Sequence, residues 1–388
     1  MKDFQFYLKT KIDFGENSIK NLTVHCKGRN AKKVLIVTDE NLVKIGLVDP
    51  IKTELEATGI SYDIYDEVKP NPEVGIIDKG GDAASHGGYD LIVAFGGGSS
   101  MDTAKGIAVL AVNEGSIYDY LDGRGNEKRN IDVKPLPIIA VPTTAGTGSE
   151  ASMYSVITDE KTRIKDSITS EDIYPAVAII DPVLMLGLPP KITAYTGLDV
   201  LGHALEAYTS KIDNVMTDMF AKEAIKLVFE YLPIAVQKGD LESRKKMAYA
   251  SLIAGIAMSH CGATIPHGLG CPLSGHCDLP HGLTVGLLQI PMIDFNRDVL
   301  KDELMEIAKY IKPNIEIKQD EVADWFIERI RNLFKEINVN EKLEDTDKIK
   351  EKLEAMTEDA LIHGCTGLNK RLLDKETVIK IYKETISR

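Results

Sequence analysis

The fold of this chain is decided by the stretch Leu91-Ile92-Val93-Ala94-Phe95-Gly96-Gly97-Gly98-Ser99-Ser100-Met101-Asp102-Thr103-Ala104-Lys105. An apolar run leads directly into three glycines and then into a helix-forming segment, which predicts a strand, a tight turn and a helix. Glycine lets the backbone approach a bulky anion, and the free amides at a helix start favour phosphate. The turn is neither a P-loop nor a G-x-G-x-x-G fingerprint, because Met101 stands where the third glycine belongs. A connection without a ligand is the alternative interpretation. The candidate phosphate-binding residues are Gly96, Gly97, Gly98, Ser99 and Ser100.

A second loop of this kind follows the apolar run 136–141. It reads Pro142-Thr143-Thr144-Ala145-Gly146-Thr147-Gly148-Ser149-Glu150, with four hydroxyl groups and two glycines. Such a loop can surround a diphosphate or a ribose, but it is equally typical of a polar loop that ends in a helix cap. Asp39 ends an earlier apolar run, where a carboxylate can bind an adenosine ribose and repel a 2′-phosphate. Asp39 also fits a helix cap, so both interpretations stay open.

The rest of the first half repeats the pattern of strand, turn and helix. Continuous apolar strands that alternate with helices indicate a parallel sheet covered on both faces. The other predicted strands are 33–38, 62–65, 136–141 and 177–180. After Pro189-Pro190 the apolar residues recur at helical spacing, and we predict no strand from residue 195 onward. The predicted helical segments are 194–237, 241–260, 320–337 and 348–362. The sequence therefore predicts an α/β domain, mostly a parallel sheet with helices on both faces, over 1–186 and an all-α domain over 187–388.

The charge balance limits the classes of partner. The 388 residues include 59 acidic and 46 basic side chains, for a net charge of −13. This balance argues against binding of nucleic acid or of an anionic membrane surface. No stretch reaches the roughly 18 apolar residues of a membrane helix, and residues 1–7 lack the apolar core of a signal peptide. The five cysteines are odd in number and dispersed, which is typical of reduced thiols, so we expect a cytoplasmic protein.

The histidines are crowded. Four of the eight lie within residues 260–281. Earlier in the chain, Asp199 and His203 stand four residues apart on a predicted helix, so they project from one face and can reach one cation. Their neighbours are apolar, and an unpaired Asp and His there would be costly. A metal resolves that cost; a simple Asp–His hydrogen bond within the helix pair is the alternative.

Two Pro-His-Gly triplets supply further nitrogen donors. They are centred on His267 and His281, 14 residues apart. Three imidazoles and one carboxylate suit Fe(II) or Zn(II), and four protein ligands with a position left for substrate favour Fe(II). A zinc site built on Cys261, Cys271, Cys277 and His276 is the rival, but it lacks the paired C-x₂-C spacing. His260 and His276 are either ligands, acid–base groups or ordinary hydrogen-bonded histidines.

These motifs together resemble the iron-containing (group III) alcohol dehydrogenases, a family that includes lactaldehyde reductase, 1,3-propanediol dehydrogenase and butanol dehydrogenase. The matching residues are 96–102, 142–150, Asp199-x₃-His203 and His267-x₁₃-His281-Gly282. The resemblance covers nearly the whole chain. It implies a nicotinamide-dinucleotide domain, an all-helical metal domain of the dehydroquinate synthase-like architecture, and a site in the cleft between them.

The resemblance also implies roles for single residues. The implied metal ligands are Asp199, His203, His267 and His281. Asp39 stands where the family selects NAD over NADP. The candidate dinucleotide contacts, including those of the glycine turn (96–100) and the threonine-rich loop (142–150), are Asp39, Asn71, Gly96, Gly97, Gly98, Ser99, Ser100, Asp102, Thr143, Thr144, Thr147, Ser149 and Lys165. The candidate catalytic residues are His267, His281, His276 and Cys271.

The chain departs from the family near the proposed reaction site. Cys271 and Asp278 stand where some members carry a further histidine, and His363-Gly364 precede Cys365-Thr366. His276 or Asp278 is therefore a candidate proton relay.

We expect hydride transfer between a primary alcohol or diol and NAD, with the metal, Fe²⁺ or alternatively Zn²⁺, as the Lewis acid on the substrate oxygen. The alternatives are a glycerol-dehydrogenase-like or dehydroquinate-synthase-like zinc enzyme and a non-enzymatic NAD or metal sensor. A homodimer or higher homo-oligomer is a family expectation.

Overall fold

The computed structural model of the protein describes residues 3–343 and 346–386, with residues 124–126 described by their backbone alone. The chain divides into two compact units. One comprises Tyr7–Thr144 and Gly148–Gly187, and the other comprises Met1–Phe6, Ala145–Thr147 and Leu188–Arg388.

The first unit is built on a six-stranded sheet. Its strands and those of a separate hairpin are β1 (Lys11–Phe14), β2 (Lys33–Val37), β3 (Ser61–Tyr65), β4 (Leu91–Gly96), β5 (Ile138–Pro142), β6 (Tyr154–Thr158), β7 (Lys165–Thr169) and β8 (Val177–Ile180). The helices are α1 (Leu22–Lys27), α2 (Glu40–Lys44), α3 (Asp49–Glu56), α4 (Val74–Gly87) and α5 (Gly98–Leu110). The sheet order is β1-β8-β5-β4-β2-β3, and every pairing within it is parallel. The predicted parallel α/β fold is confirmed.

Both faces of this sheet are buried. Leu35 and Ile92 pack with Ile77 and Ile107 in one core, whereas Val34 and Val93 belong to the core on the other side. Side chains alternate between the faces of a strand, so continuous apolar runs are needed to fill both cores. The predicted strands are almost continuously apolar because both faces of the sheet are covered.

Two parts of the first unit were not predicted. The edge strand β1 is half exposed, and its polar alternation lacks the apolar run of a central strand. Strands β6 and β7 form an antiparallel hairpin that pairs Tyr154 with Thr169, outside the six-stranded sheet. The hairpin sequences are rich in Ser, Thr and Asp, so no apolar pattern marked them.

The register of the sheet positions the two predicted loops. Gly96 at the end of β4 pairs with Pro142 at the end of β5. Strand β2, which pairs with β4 on the other side, ends at Val37, two residues before Asp39. In open α/β sheets ligands bind outside the carboxyl ends of such strands, where the strand order reverses. The glycine turn, the threonine-rich loop and Asp39 all follow these neighbouring strand ends.

The second unit is helical: no strand occurs between residues 188 and 343 or between 346 and 386. Its helices are α6 (Pro190–Thr209), α7 (Val215–Gln237), α8 (Leu241–Cys261), α9 (Ile265–Cys277), α10 (His281–Asn296), α11 (Lys301–Ile311), α12 (Val322–Glu336), α13 (Thr346–Ile362), α14 (Gly364–Gly367) and α15 (Lys375–Ile386). The predicted all-helical second part is confirmed. No single helix in the described ranges is long and apolar enough to cross a membrane, and only α8 and α9 taken together, with a 102° bend between them, meet that test.

The helices differ from the prediction in several places. The predicted segment 194–237 is two helices, because Asn214 caps α7 with its side chain bound to the amides of Met216 and Thr217. Helices α9 and α10 were not predicted, because each contains an internal proline and at least two glycines, which are unfavourable in a helix. Tertiary packing outweighs those propensities here. The prediction also omitted α11, α14 and α15.

Candidate metal centre and nucleotide-binding loops

Helix α6 carries two of the predicted ligands on a buried face. Asp199 and His203 are one turn apart, and both are almost fully buried. Together with His267 they offer ligand atoms that all lie within 4.8 Å of one another. This is the arrangement that a single metal ion requires from its donors.

The other two histidines enter at the first turns of neighbouring helices. His267 follows Pro266 at the start of α9, and His281 is the first residue of α10 after Pro280. Proline fits a first helical turn because no amide hydrogen is needed there. The Nε2 atoms of His267 and His281 lie 3.5 and 3.6 Å from Oδ1 of Asp199. The structure therefore brings all four predicted ligands together around one carboxylate oxygen.

The donor atoms of this cluster do not satisfy one another. Oδ1 of Asp199, Nδ1 of His203 and Nε2 of His267 are buried without a hydrogen-bond partner among the described residues. The 3.5 Å separation of His267 from Asp199 exceeds a good N–H···O distance. The His203 and His267 rings stack with centroids 4.6 Å apart, which leaves no room for a direct bond between them. Buried polar atoms are nearly always satisfied, so the cluster fits a metal ion.

The electrostatics also favour a cation. Burial opposes the charge on Asp199, but His203, His281 and His267 hold its pKa well below the usual range. Burial likewise opposes a charge on His267, yet Glu206 and Asp199 raise the pKa of that ring well above its usual value. Burial lowers the pKa of His203. Two carboxylates thus surround a site that prefers positive charge.

Glu206 is a site residue that the sequence reading missed. It is fully buried on α6, and its Oε1 lies 2.7 Å from Nδ1 of His267. Its Oε2 accepts the backbone amides of Thr264 at 2.7 Å and His267 at 3.2 Å. A carboxylate on the far nitrogen of a histidine fixes the ring and directs its other nitrogen to the metal. The spacing could have identified it, since Glu206 stands three residues after His203 on the same helical face.

The glycine after His281 has a steric reason. A Cβ on Gly282 would lie 2.0 Å from the carbonyl oxygen of Tyr195 on α6. Helix α10 can therefore approach α6 closely enough to bring His281 to Asp199 only without a side chain here.

We expect Gly282→Ala to lower the free energy of unfolding by about 1–3 kcal/mol, because the added methyl group must push α10 away from α6. The measurement is thermal unfolding together with metal content. Gly367→Ala is the matched control, because nothing lies within 4 Å of its Cβ position. Equal stability of Gly282→Ala and wild type would contradict the close approach.

The other histidines and thiols of this region have partners outside the set of four predicted ligands. Nε2 of His276 lies 2.5 Å from Oδ2 of Asp359. His260 stacks on Phe6 with centroids 4.4 Å apart. Cys271 is buried one helical turn after His267 and is hydrogen-bonded to His363, whose pKa is raised. Burial of the His363 ring opposes that rise, and the thiols Cys365 and Cys271 cause it.

The rival thiolate zinc site is not assembled. Cys261 donates to Oγ1 of Thr217 at 3.1 Å, and Cys277 lies against Met356. All five cysteines are free thiols.

In the other unit, the glycine turn forms an uncapped helix start. Gly96 has φ = 143°, and a Cβ there would lie 2.3 Å from Oγ of Ser100. Gly97 is the N-cap of α5 and has no side chain to satisfy the first amides. A Cβ on Gly97 would also crowd Oγ1 of Thr144, at 3.2 Å. The first turn of α5 thus presents backbone amides as a phosphate-binding turn does.

The threonine-rich loop starts from the same edge. The amide of Thr143 donates to the carbonyl of Gly96 at 2.9 Å, so the two loops are joined at their bases. Farther along, Ala145–Thr147 belong to the helical unit, where the backbone of Gly146 hydrogen-bonds the His203 ring. Thr144 and Thr147 are both partly accessible.

Three of the other candidate contacts lie in separate segments of the first unit. Asp39 caps α2, and Oδ1 accepts the amides of Asn41 at 2.9 Å and Leu42 at 3.1 Å. The cap uses Oδ1 and not Oδ2, so the two interpretations of Asp39 are compatible. Asn71, at φ = 55°, accepts a hydrogen bond from Nζ of Lys165 at 2.8 Å.

Asp102 and Ser149 instead bond to each other. Oγ of Ser149 donates to Oδ1 of Asp102 at 2.7 Å, and the amide of Val156 donates to Oδ2 at 3.1 Å. Ser149 is buried, and Asp102 is half-buried. Burial raises the pKa of Asp102, and Lys105 opposes that rise.

Comparison with known families covers both units. The profile of the family described as "Iron-containing alcohol dehydrogenase" matches residues 9–182, and "Fe-containing alcohol dehydrogenase family, C-terminal" matches residues 193–386. The chain belongs to the iron-containing alcohol dehydrogenase family. The resemblance drawn from the sequence motifs is confirmed.

Individual members of the iron-containing alcohol dehydrogenases match over nearly their full length. The chain is 36% identical to 1,3-propanediol dehydrogenase of Citrobacter freundii, covering 97% of this chain and 98% of the relative. It is 33% identical to lactaldehyde reductase of Escherichia coli K12, covering 95% and 96%. The structure of sulfoacetaldehyde reductase from Bifidobacterium kashiwanohense in complex with NAD⁺ superposes with a TM-score of 0.89 at 31% identity, covering 100% of both chains. This iron-containing alcohol dehydrogenase family member is an alcohol or aldehyde oxidoreductase.

Proposed function

We propose that the chain transfers a hydride between a primary alcohol or diol and NAD, with Asp199, His203, His267 and His281 holding one divalent metal ion. The observation that carries the proposal is the convergence of the four side chains on Oδ1 of Asp199. Within this cluster, Oδ1 of Asp199, Nδ1 of His203 and Nε2 of His267 are buried without a hydrogen-bond partner among the described residues. A metal bound there supplies Lewis-acid chemistry for the oxygen of an alcohol or aldehyde. Four protein ligands on a catalytic ion must leave a further position for substrate, which supports Fe²⁺ over tetrahedral Zn²⁺.

The residues of the chain prepare this site before any substrate arrives. Glu206 fixes the ring of His267, and Asp199 provides negative charge that balances a cation. The side chain of His281 is 29% exposed, whereas those of His267 and Asp199 are 9% and 4% exposed. Solvent therefore reaches the cluster on the His281 side, and we assign substrate entry to that side.

The dinucleotide proposal rests on the strand ends of the first unit. The uncapped start of α5 offers amides to a diphosphate, and Asp39 keeps Oδ2 for a ribose hydroxyl. A carboxylate at that position repels a 2′-phosphate, which supports NAD over NADP. The bound dinucleotide supplies the hydride acceptor or donor.

Three further assignments complete the proposal. The nucleotide-binding domain spans 1–186 and the metal-binding domain 187–388, except that 1–6 and 145–147 group with the helical unit. The profile matches at 9–182 and 193–386 support this division. The protein acts in the cytoplasm, which the five free thiols support. It forms a homodimer or higher homo-oligomer, a proposal that rests on the family resemblance.

The test is an assay of anaerobically purified protein with primary alcohols and diols, each offered with NAD and with NADP. We expect NADH formation that a chelator abolishes, and a much smaller rate with NADP. Metal analysis of the same sample should give iron. Turnover that chelation leaves unchanged would contradict the metal proposal, and equal rates with NADP would contradict the role of Asp39. The relatives are named as dehydrogenases and reductases, which favours an enzyme over a sensor that only binds NAD.

A further inference from the structure

Lys105 is a buried cation that the proposed chemistry does not use. It lies on α5, and its relative exposure is 0%. Its Nζ donates to the carbonyls of Ser149 at 2.8 Å and Tyr154 at 2.6 Å. It also donates to Oγ of Ser149 at 2.8 Å and Oγ of Ser152 at 3.1 Å. An ammonium has three donor hydrogens, so these four acceptors use all of its bonding capacity.

Two carboxyl groups, those of Asp102 and Glu150, interact electrostatically with this ammonium. Burial lowers the pKa of Lys105 to about 8, and Asp102 and Glu150 oppose that shift. Burial raises the pKa of Glu150 to about 7. Lys165 faces Asp102 from β7 and stabilises its charge. Unpaired buried charges are costly, so Lys105 keeps its place only because this polar shell is complete.

The shell joins the two candidate nucleotide-binding segments. Helix α5 begins at the glycine turn, and Lys105 lies two turns into it. Its acceptors lie within 149–154, which comprises the end of the threonine-rich loop and the residues that follow it. Ser149 accepts from Lys105 and donates to Asp102, so its hydroxyl is occupied on both sides. Lys105 therefore ties the end of that loop to the body of α5.

We propose that Lys105 is a positioning residue for the dinucleotide. Its ammonium holds the segment 149–154 against α5, so that the amides of the glycine turn and the hydroxyls of the threonine-rich loop keep the mutual geometry that a diphosphate needs. Asp102 and Ser149 act as parts of this internal network rather than as direct contacts of the cofactor. The inference rests on the proposed dinucleotide function.

The decisive variant is Lys105→Met, which fills similar space without charge or donors. We expect the Kd for NAD, measured by calorimetry, and the KM for NAD to rise about tenfold or more, because charged hydrogen bonds to the loop are lost. The kcat at saturating NAD and the KM for the alcohol should change much less. A lysine that only fills space would leave the Kd unchanged, since an apolar replacement of similar volume is often neutral.

A pH profile adds a readout that a purely structural role would not give. The Lys105 ammonium is charged below its pKa of about 8, so wild-type affinity for NAD should fall as pH rises through that value. Lys105→Met should show low affinity without that inflection. A wild-type Kd that is flat through this range would count against the proposal.

Two further variants cover the case in which Lys105→Met does not fold. Ser152→Ala removes one of the four acceptors and should raise the Kd for NAD about two- to threefold. Thr103→Val is the matched control on α5, because its buried Oγ1 has no hydrogen-bond partner in the described chain. It should leave the Kd unchanged.

The outcomes separate the two proposals. Lys105→Met that folds and binds NAD as tightly as wild type overturns the role of Lys105 and leaves the proposed function intact. If Lys105→Met does not fold, an unchanged Kd in Ser152→Ala together with a flat wild-type pH profile overturns it. Wild-type protein that binds no NAD refutes the dinucleotide function itself, and the inference falls with it.

Discussion

His267→Ala is expected to lose the metal ion and to lower kcat/KM about a thousandfold or more, because Lewis-acid stabilisation is worth several kcal/mol. His267 stands at the centre of the cluster. Its Nε2 faces Asp199, and its ring lies between those of His203 and His281. The measurement is the metal content of dialysed protein together with the rate of NADH formation.

The control for this variant is another histidine of the same unit. His260 stacks on Phe6, and its Nδ1 lies 2.9 Å from the carbonyl of Ile256. His260→Asn should therefore keep both metal and activity. A His267→Ala protein that retained its full metal content and rate would show that the cluster is not the metal site.

Glu206→Gln is expected to weaken metal binding about 10- to 100-fold, the usual cost of losing a carboxylate that orients a ligand histidine. The amide keeps one oxygen for the amides of Thr264 and His267, but it removes the negative charge beside Nδ1 of His267. The ring then becomes a poorer donor and is held less firmly. The measurement is the dissociation constant of the metal by competition with a chelator.

Thr209→Val is the matched control on the same helix. Thr209 is buried and bonds only back to the carbonyl of Leu205 among the contacts described. It should bind metal as wild type does. If Glu206→Gln and Thr209→Val had equal metal affinity, the proposed role of Glu206 would be wrong.

The main features of the fold and of the metal cluster could be predicted because they depend on patterns within single strands and helices. Strands buried on both faces must be apolar throughout, so β2, β4, β5 and β8 were visible as short runs. Asp199 and His203 share a helix, and the four-residue spacing fixes their common face.

The roles of other residues could not be predicted, because they depend on contacts between segments that are distant in sequence. Glu206 bonds to His267, 61 residues later, and Lys105 bonds to Ser149, 44 residues later. No local pattern distinguishes a buried Glu or Lys that has such a partner from one on a solvated face. The same reason explains why His276 could not be separated from the ligands by sequence, since its partner Asp359 lies on α13.

In the loops, the sequence left some roles open because one residue type fits two of them. Asp39 was open between a helix cap and a ribose contact, and the structure shows the cap on one oxygen only. Gly282 belongs to one of the two Pro-His-Gly triplets, but only the structure identifies the Tyr195 carbonyl as the atom that excludes a side chain there.

The central claim is that Asp199, His203, His267 and His281 hold one metal ion that the reaction requires. The most direct test is titration of chelator-treated protein with Fe²⁺ under anaerobic conditions, following NADH formation from a primary alcohol. We predict that activity returns in proportion to bound metal and reaches its plateau at one ion per chain. Metal-free protein that already turns over at the undiminished rate would contradict the claim.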